Sequence, residues 1–431
     1  MPASHHRQPL PKSLYAETAR PLTELPPLEG GSKASVVIVG GGYTGLSTAL
    51  HLAQRGIDAV VLEAQEPGWG ASGRNGGQVN PGIYPDPGRV IADFGAEMGR
   101  RMLDFSGGAP DKVFALVKQH AIACEAARTG TLRVAYNKKK LEATRGTFAE
   151  LRKTGSPATW MTPEQLAAAT GTDRYLGGIR FPQGGKLNPL GYARGLAEAA
   201  GKVGARIHGN SPALRVVKQG SRWRVETPQG SVTADRLVLA TNAYTDGLWP
   251  KLRQSMVPVY STIVATAPLS GNLAASVMPS GSVLYEVANN TVYYRLDAGN
   301  RLLMGGRSLQ RDVTRLEEAS GLTDYAKRLW PQLADTPWTH VWNGRVAITI
   351  DHHIHLHEPA ENVHICLGYN GRGLAMATAM GSVLADRIAG ARREDLPMPV
   401  TDLTPMSFHH FAGIGVEFRL AYGKLRDRLG I

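Results

Sequence analysis

The sequence predicts an α/β fold, α+β overall, in which a parallel-sheet domain is interrupted by a second domain built on an antiparallel sheet. Three observations predict it. The apolar run Ser35–Gly40 (SVVIVG) leads into a glycine turn, a stretch of helical spacing and a second apolar run, Ile57–Leu62. That is the strand–helix–strand order of a parallel unit. Two further apolar runs, Ala234–Ala240 and one ending at Gly368, return far downstream, so the first domain is discontinuous in sequence. Between them, residues 253–337 hold four short runs, VPVYSTIVAT, SVLYEV, TVYYRL and RLLMGGR. Their alternating aromatic and polar residues suit an antiparallel sheet with one face toward a cavity. At 431 residues the chain is about three times a typical domain length, which leaves room for both parts.

Composition narrows the function classes. A 42% hydrophobic share supports a sizeable core, and a 19% charged share is too low for a disordered chain. Fifty glycines and 27 prolines follow no period, which excludes collagen-like and linker architectures. Two cysteines, Cys124 and Cys366, supply neither a disulfide framework nor a thiolate metal pattern and suit a reducing compartment. No apolar run reaches the ~18 residues of a membrane span. Residues 1–33 are Pro-rich and polar without a signal-peptide core, so an extended surface arm and a cytoplasmic location are expected. The net charge of +12 points to an anionic partner: nucleic acid, a membrane surface or an acidic substrate. Basic clusters such as Lys138–Lys140 are short and lack interleaved aromatics, so no nucleic acid is expected.

The first glycine turn carries the clearest chemistry. Gly40, Gly42 and Gly45 form GxGxxG between a strand and a helix marked by Leu46, Ala49, Leu50 and Ala53. Gly40 permits the turn, Gly42 admits a pyrophosphate to the backbone, and Gly45 lets helix and strand pack closely. The helix N-terminus offers free N–H groups to phosphate oxygens. Glu63, 18 residues beyond Gly45 at the end of the second strand, suits ribose hydroxyls. A second Gly-rich loop, Gly70–Gln78, brings the chain back to the same place. A third, Gly368–Gly373, opens a helix of small residues ending near Gly390. A helix N-terminus there would face the N1 and O2 edge of a flavin, where charge accumulates on reduction. A nicotinamide enzyme has no need of that turn.

The segments GGGYTGLSTALHLAQRG, LEA, GASGRNGGQVNPG and GYNGRGLAMATAMG together resemble the FAD-dependent amine and amino-acid oxidoreductases. That superfamily includes D-amino-acid oxidase, glycine oxidase and monomeric sarcosine oxidase, and the branch most resembled is that of gamma-glutamylputrescine oxidase. The similarity runs from Tyr15 to residue 398. It implies a Rossmann-like FAD-binding domain from residues 34–95, 183–252 and 338–398, and a substrate domain from 96–182 and 253–337. An N-terminal arm (1–33) and a C-terminal tail (399–431) flank them. The implied cofactor contacts in the first turn are Gly40, Gly42, Tyr43, Thr44, Gly45, Glu63 and Ala64. The second loop adds Ala71, Ser72, Arg74, Asn75, Gly76, Gly77 and Gln78. Thr241 and the last turn, Asn370, Gly371, Arg372, Gly373 and Leu374, complete them. No cysteine stands near Gly344, where the sarcosine-oxidase branch attaches its flavin, so non-covalent FAD is expected.

The resemblance implies oxidation of the CH–NH bond of a small amine or amino acid by hydride transfer to flavin N5. The resulting imine hydrolyses, and O2 or a quinone-type acceptor reoxidises the flavin. Secondary amines, cyclic imino acids such as L-pipecolate, and gamma-glutamyl polyamines are the substrate classes the family offers. Tyr294, Arg345 and His352 are the candidate catalytic residues; relatives hold a substrate carboxylate near the first two positions. Tyr260, Tyr293, Arg307 and Tyr369 are candidate substrate-binding residues. Leu303 stands where the sarcosine-oxidase branch carries an oxygen-activating lysine, which makes oxygen a poorer acceptor. Two rival readings stay open. One is a flavin monooxygenase, which should carry an NAD(P)H-facing pattern absent here; the other is a non-catalytic flavin-binding or electron-relay subunit.

Two remaining features are weighed against simpler roles. At strand spacing His353, His355 and His357 would share one face, but the segment matches a flavin-domain strand of the family, and no metal is expected. In the tail, Phe408, Phe411, Gly415, Phe418, Tyr422, Leu425 and Leu429 recur at helical spacing beside Arg419, Lys424, Arg426 and Arg428. Such a helix packs on the protein body by default. Peripheral contact with the inner face of a membrane is the sharper expectation.

Overall fold

In the computed structural model, which describes residues 8–308, 310–407 and 409–429, strand Gly30–Val39 is the centre of a parallel sheet. It pairs in parallel with Ala59–Leu62 on one side and Gly230–Leu239 on the other. Arg206–His208 and Val363–Leu367 extend the sheet at its two ends, also in parallel. His355–His357 adds an antiparallel edge, and the hairpin Arg215–Gln219/Arg222–Glu226 branches from Gly230–Leu239. Both faces of the central strands are covered. Val36 and Ile38 pack on helices Tyr43–Ala53, Pro189–Lys202 and Gly373–Ile388, while Val37 and Val39 pack toward Trp223, Val225 and Ile365. Burial on both faces is why these strands read as continuous apolar runs.

The second sheet has eight strands, in the order Trp338–Ile348, Val257–Thr266, Leu302–Arg307, Val292–Leu296, Val283–Glu286, Thr131–Ala135, Gly177–Phe181 and Thr159–Met161. Every neighbouring pair is antiparallel except Val283–Glu286 with Thr131–Ala135, which is parallel. The four runs expected as strands between 253 and 337 are strands. Two expected boundaries move. Trp338–Ile348 was assigned with the FAD-binding segments, but it pairs along its length with Val257–Thr266 of the second sheet. Its local pattern suits either sheet, and only the distant partner decides. The boundary at 96 likewise falls inside a helix, Pro87–Gly107. The capping box at Thr162 forms, with Gln165 N donating to Thr162 Oγ1 at 3.3 Å and Thr162 N donating to Gln165 Oε1 at 3.0 Å.

The two ends also differ from expectation. The arm is not merely extended over the surface: Leu14–Thr18 is a short helix, and the central strand already begins at Gly30. Leu14 and Tyr15 are buried against Ile263, Leu303 and Trp342. Burying each such side chain is worth ~1.5–3 kcal/mol, enough to order a short arm. At the other end, Ala412–Leu429 is a helix held against the second sheet. Asn290 Nδ2 donates to Leu420 O at 3.0 Å, and the preceding turn is fixed by His409 Nε2 on Met256 O at 3.0 Å. Phe418 and Tyr422 stack outward, 74% and 52% exposed. Phe408 and the side chains of Phe411, Lys424, Leu425, Arg428 and Leu429 lie outside the described residues. Among the described residues, no helix is long and apolar enough to cross a membrane.

The three histidines of the 353–357 segment serve different partners. His353 Nε2 bonds Asp93 Oδ2 at 2.7 Å, His355 Nε2 bonds Asp351 Oδ1 at 3.1 Å, and His357 Nδ1 bonds Thr401 O at 2.8 Å. Burial is the main reason that the imidazoles of His357 and nearby His364 are lowered to about 4. Each is neutral in the folded protein but binds a proton in the unfolded chain below its ordinary value of 6.5. Their contribution to stability is therefore complete above that pH and is lost as pH falls toward 4. We expect melting temperature to drop across this window, each histidine accounting for on the order of 1–3 kcal/mol. Melts of His357→Gln between these pH values should show a shallower decline than the parent; an identical slope would contradict this account.

Candidate functional site

A cavity of about 770 Å³ lies between the C-terminal ends of the parallel strands and the second sheet. Its first wall is the glycine turn. Gly40 takes a φ of +110°, and a Cβ there would stand 2.8 Å from the carbonyl oxygen of Ala240. Gly42, which also lines the cavity, begins helix Tyr43–Ala53 without a side-chain cap. Glu63 closes this wall: its Oε2 accepts from Gly41 N at 2.6 Å and its Oε1 from Gln65 N at 3.0 Å. Burial raises its pKa, against the lowering effect of those two donors.

The second glycine loop is tied to the first through Tyr43. Tyr43 N donates to Ser72 Oγ at 3.0 Å, its hydroxyl donates to Pro189 O at 3.0 Å, and Asn75 Nδ2 donates to that hydroxyl at 3.1 Å. Arg74 crosses the loop with its guanidinium 4.2 Å from the Trp69 ring and its Nε donating to Trp69 O at 2.7 Å. The third wall is Asn370–Leu374, at the start of helix Gly373–Ile388, which again lacks a side-chain cap. Two uncapped helix N-termini over one cavity, beside a turn that admits no side chain, suit a pyrophosphate and an anionic ring edge. The residues present therefore fit FAD.

Most expected cofactor residues line this cavity: Gly40, Gly42, Tyr43, Thr44, Glu63, Ala64, Ala71, Ser72, Arg74, Asn75, Gly76, Gln78, Thr241 and Asn370–Leu374. Gly45 and Gly77 do not. A Cβ on Gly45 would collide with the carbonyl of Gly40, so this glycine sets the helix–strand distance. Gly77, at φ +65°, turns the chain, with its N–H on Asn75 Oδ1 at 2.9 Å.

The second sheet supplies the opposite wall, and here the expectations divide. Tyr260, Tyr293, Arg307 and Arg345 all line the cavity. Arg345 Nε donates to the Tyr260 hydroxyl at 2.9 Å, and its guanidinium stands 5.4 Å from the Tyr244 ring. Among the described residues, no carboxylate pairs with Arg345. Tyr293 is half-buried over Gly76, its hydroxyl 2.9 Å from Ser261 Oγ, and desolvation of that hydroxyl raises its pKa. Tyr369 lines the cavity, but its hydroxyl is engaged by Thr44 Oγ1 at 2.6 Å and by Cys366 Sγ at 3.2 Å. It fastens the two cofactor-side helices rather than presenting a phenol to substrate.

Two candidates are misplaced. Tyr294 points to the other side of its strand, with Val292 and Leu296, fully buried against Trp330 and hydrogen-bonded to the Tyr175 hydroxyl. Successive strand residues face opposite ways, so Tyr293 reaches the cavity and Tyr294 cannot. His352 is also off the cavity wall, at φ +62°, its ring packed 4.8 Å from Tyr84.

Several cavity residues were missed: Trp69, Tyr84, Asp86, Arg133, Tyr244 and Tyr285. Tyr285 was within reach of sequence reasoning, because it is the register partner of Tyr293. The signal for Tyr244 was its place just beyond Thr241. Arg133 and Asp86, joined at 2.9 Å, come from unrelated segments and gave no signal.

Comparison with known proteins agrees with this geometry. The family described as FAD dependent oxidoreductase matches residues 35–387. A probable oxidoreductase, OrdL, from Rhizobium meliloti (strain 1021) is 32% identical over 429 residues, covering 96% of this chain and 97% of its own. Gamma-glutamylputrescine oxidoreductase of Escherichia coli K12 is also 32% identical over 429 residues, covering 97% and 99%. Glycine oxidase from Geobacillus kaustophilus, a solved structure, shares the fold with a TM-score of 0.72 at 20% identity, over 86% of this chain and 99% of that one. With a cradle that fits the cofactor and a family match over most of its length, the chain belongs to the DAO family of FAD-dependent oxidoreductases.

Proposed function

We propose that the protein oxidises the CH–NH bond of a small amine or amino acid, with secondary amines, cyclic imino acids and gamma-glutamyl polyamines as the substrate classes. The observation that carries this reading is Arg345, a guanidinium on the cavity wall facing the cofactor cradle and paired with no acid. FAD, when bound, supplies the acceptor for a hydride from the carbon next to nitrogen. The chain's own residues bind and orient. Arg345, steadied by Tyr260, anchors a substrate carboxylate, since a guanidinium fork matches a carboxylate in two hydrogen bonds. Tyr293 and Tyr285 form an apolar wall that excludes water and favours the neutral, reactive amine. The names of relatives support the amine class, among them the Escherichia coli enzyme above and a 4-methylaminobutanoate oxidase of Paenarthrobacter nicotinovorans.

Among the described residues, no cysteine or histidine lines the cavity, which supports non-covalent attachment. No lysine lines it either, and Leu303 is buried away from it, which supports slow transfer of electrons to O2 and a quinone-type acceptor in its place. The outward pair Phe418 and Tyr422 is the face on which membrane contact would fall. One experiment tests the whole reading: anaerobic flavin spectra of the FAD-loaded protein with pooled amines and amino acids, followed by reoxidation with air or with a quinone in lipid vesicles. We expect one pool to bleach the flavin and the quinone to restore it faster than air. Bleaching only by NADPH would replace this reading with the monooxygenase.

A further inference from the structure

The N-terminal arm is fastened at both ends to the segment that follows Glu63. At its start, Gln8 N donates to Gln65 Oε1 at 2.7 Å, and Pro9 O accepts from Trp69 Nε1 at 3.1 Å. At its far end, the Arg194 guanidinium donates to Arg20 O at 2.9 Å and to Glu66 Oε1 at 2.8 Å. Between these points Leu14 and Tyr15 are buried against the second sheet. Residues 8–20 therefore leave the cofactor side of the molecule, reach the second sheet and return.

Each of these ties leads to the cofactor cavity. Gln8, Gln65 and Trp69 all line it, and among the described residues Gln8 is the one lining group that precedes the central strand. Gln8 is itself exposed, which places it at the rim. Gln65 N donates to Glu63 Oε1 at 3.0 Å, so two hydrogen bonds link Gln8 to the acid that suits the ribose. The Trp69 ring, 4.2 Å from the Arg74 guanidinium, meets Tyr244 edge-on at 5.7 Å, and both partners are on the cavity wall. Arg295 joins the buried part of the arm to the second glycine loop, with Nη2 on the Tyr15 hydroxyl at 3.3 Å and Nε on Gly76 O at 2.7 Å. A segment near a terminus is ordered only where something ties it down. Here the outermost ties are side chains of the cofactor wall.

We propose that Gln8 and Pro9 form a strap at the ribose end of the cavity, which closes over FAD and slows its release. Leu14 and Tyr15 are its anchor, and Gln65 and Trp69 are its catch. Retention of FAD does not depend on which amine is oxidised, so the strap stands or falls apart from the function proposed above.

Release of FAD from the loaded protein tests it, read as the flavin absorbance that stays with rapidly filtered protein at intervals after dilution. Deletion of residues 1–9 removes the strap but keeps Leu10, the Ser13 cap of helix Leu14–Thr18 and the anchor. With two hydrogen bonds lost, release should quicken roughly ten-fold, while the flavin-free protein melts as the parent does. In the full chain, Gln8→Pro removes the N–H that reaches Gln65, and Gln8→Ala keeps it. Both substitutions fall at an exposed position, and the proline variant should release FAD about three-fold faster than the alanine variant. A deletion that melts like the parent and loses FAD within about two-fold of the parental rate would overturn the strap. Equal release from the proline and alanine variants would also overturn it, and that comparison decides the matter should the deletion fail to fold.

Discussion

Replacing Arg345 with methionine is expected to lower the second-order rate of flavin reduction roughly thirty-fold to several thousand-fold, with the flavin still bound. The range follows from truncating one partner of a desolvated, hydrogen-bonded charge pair, which costs ~2–5 kcal/mol. Methionine keeps the volume and the apolar contacts with the Tyr244 and Tyr260 rings, so the loss would report the guanidinium rather than a collapsed wall. Lysine at this position keeps the charge but loses the fork, and should recover only part of the rate. Tyr260→Phe should cost less, because it removes one hydrogen bond to Arg345 and leaves the ring in place. Rapid-mixing reduction under anaerobic conditions, with the amine that bleaches the parent protein fastest, measures all three. A methionine variant within about two-fold of the parent rate would remove Arg345 from substrate binding.

The second large effect is on the cofactor. Gly45→Val is expected to weaken FAD binding roughly ten- to hundred-fold, from the ~1–3 kcal/mol of forcing a side chain into a close-packed contact. The valine Cβ would collide with the Gly40 carbonyl and stand 3.2 Å from Ile38 Cγ2, pushing helix Tyr43–Ala53 away from the central strand. Gly45 does not line the cavity, so the effect would travel through the placement of Gly40 and Gly42, which do. Gly42→Ala separates folding from binding. Its Cβ meets only Ser72, with the Oγ at 3.0 Å, so the fold should hold while the approach to the pyrophosphate narrows. The flavin-to-protein absorbance ratio after gel filtration, with melting curves alongside, reads both variants. A fully flavinated Gly45→Val protein with parental affinity would show that the turn tolerates displacement.

The cofactor half was legible because its determinants are local. Gly40, Gly42, Gly45 and Glu63 lie within 24 residues of one another, from 40 to 63, and each is dictated by a turn, a close approach or a strand end. The helix they open follows from apolar spacing and appears where expected, as does the helix of small residues behind the last glycine turn. The arm was less legible, because the burial of Leu14 and Tyr15 depends on a surface formed by Leu303 and Trp342, hundreds of residues later. The substrate half was the least legible. Neighbouring tyrosines at 293 and 294 look alike in sequence, yet one faces the cavity and the other fills a core beside Trp330.

By itself, then, the sequence determined the dinucleotide turn, the acidic strand end, the two later glycine-rich returns to the cofactor and the alternation of the second sheet. Each of these is a short-range consequence of backbone sterics and of residue period. Only the tertiary structure decided which strand Trp338–Ile348 joins, which face of Val292–Leu296 meets the cavity, and that Arg133 and Asp86 meet on its wall. The physical reason is that strand pairing and side-chain facing are settled by contacts between distant segments, where shifting register by one residue reverses every side chain. A local pattern is equally satisfied by either choice; burial against a partner strand is not.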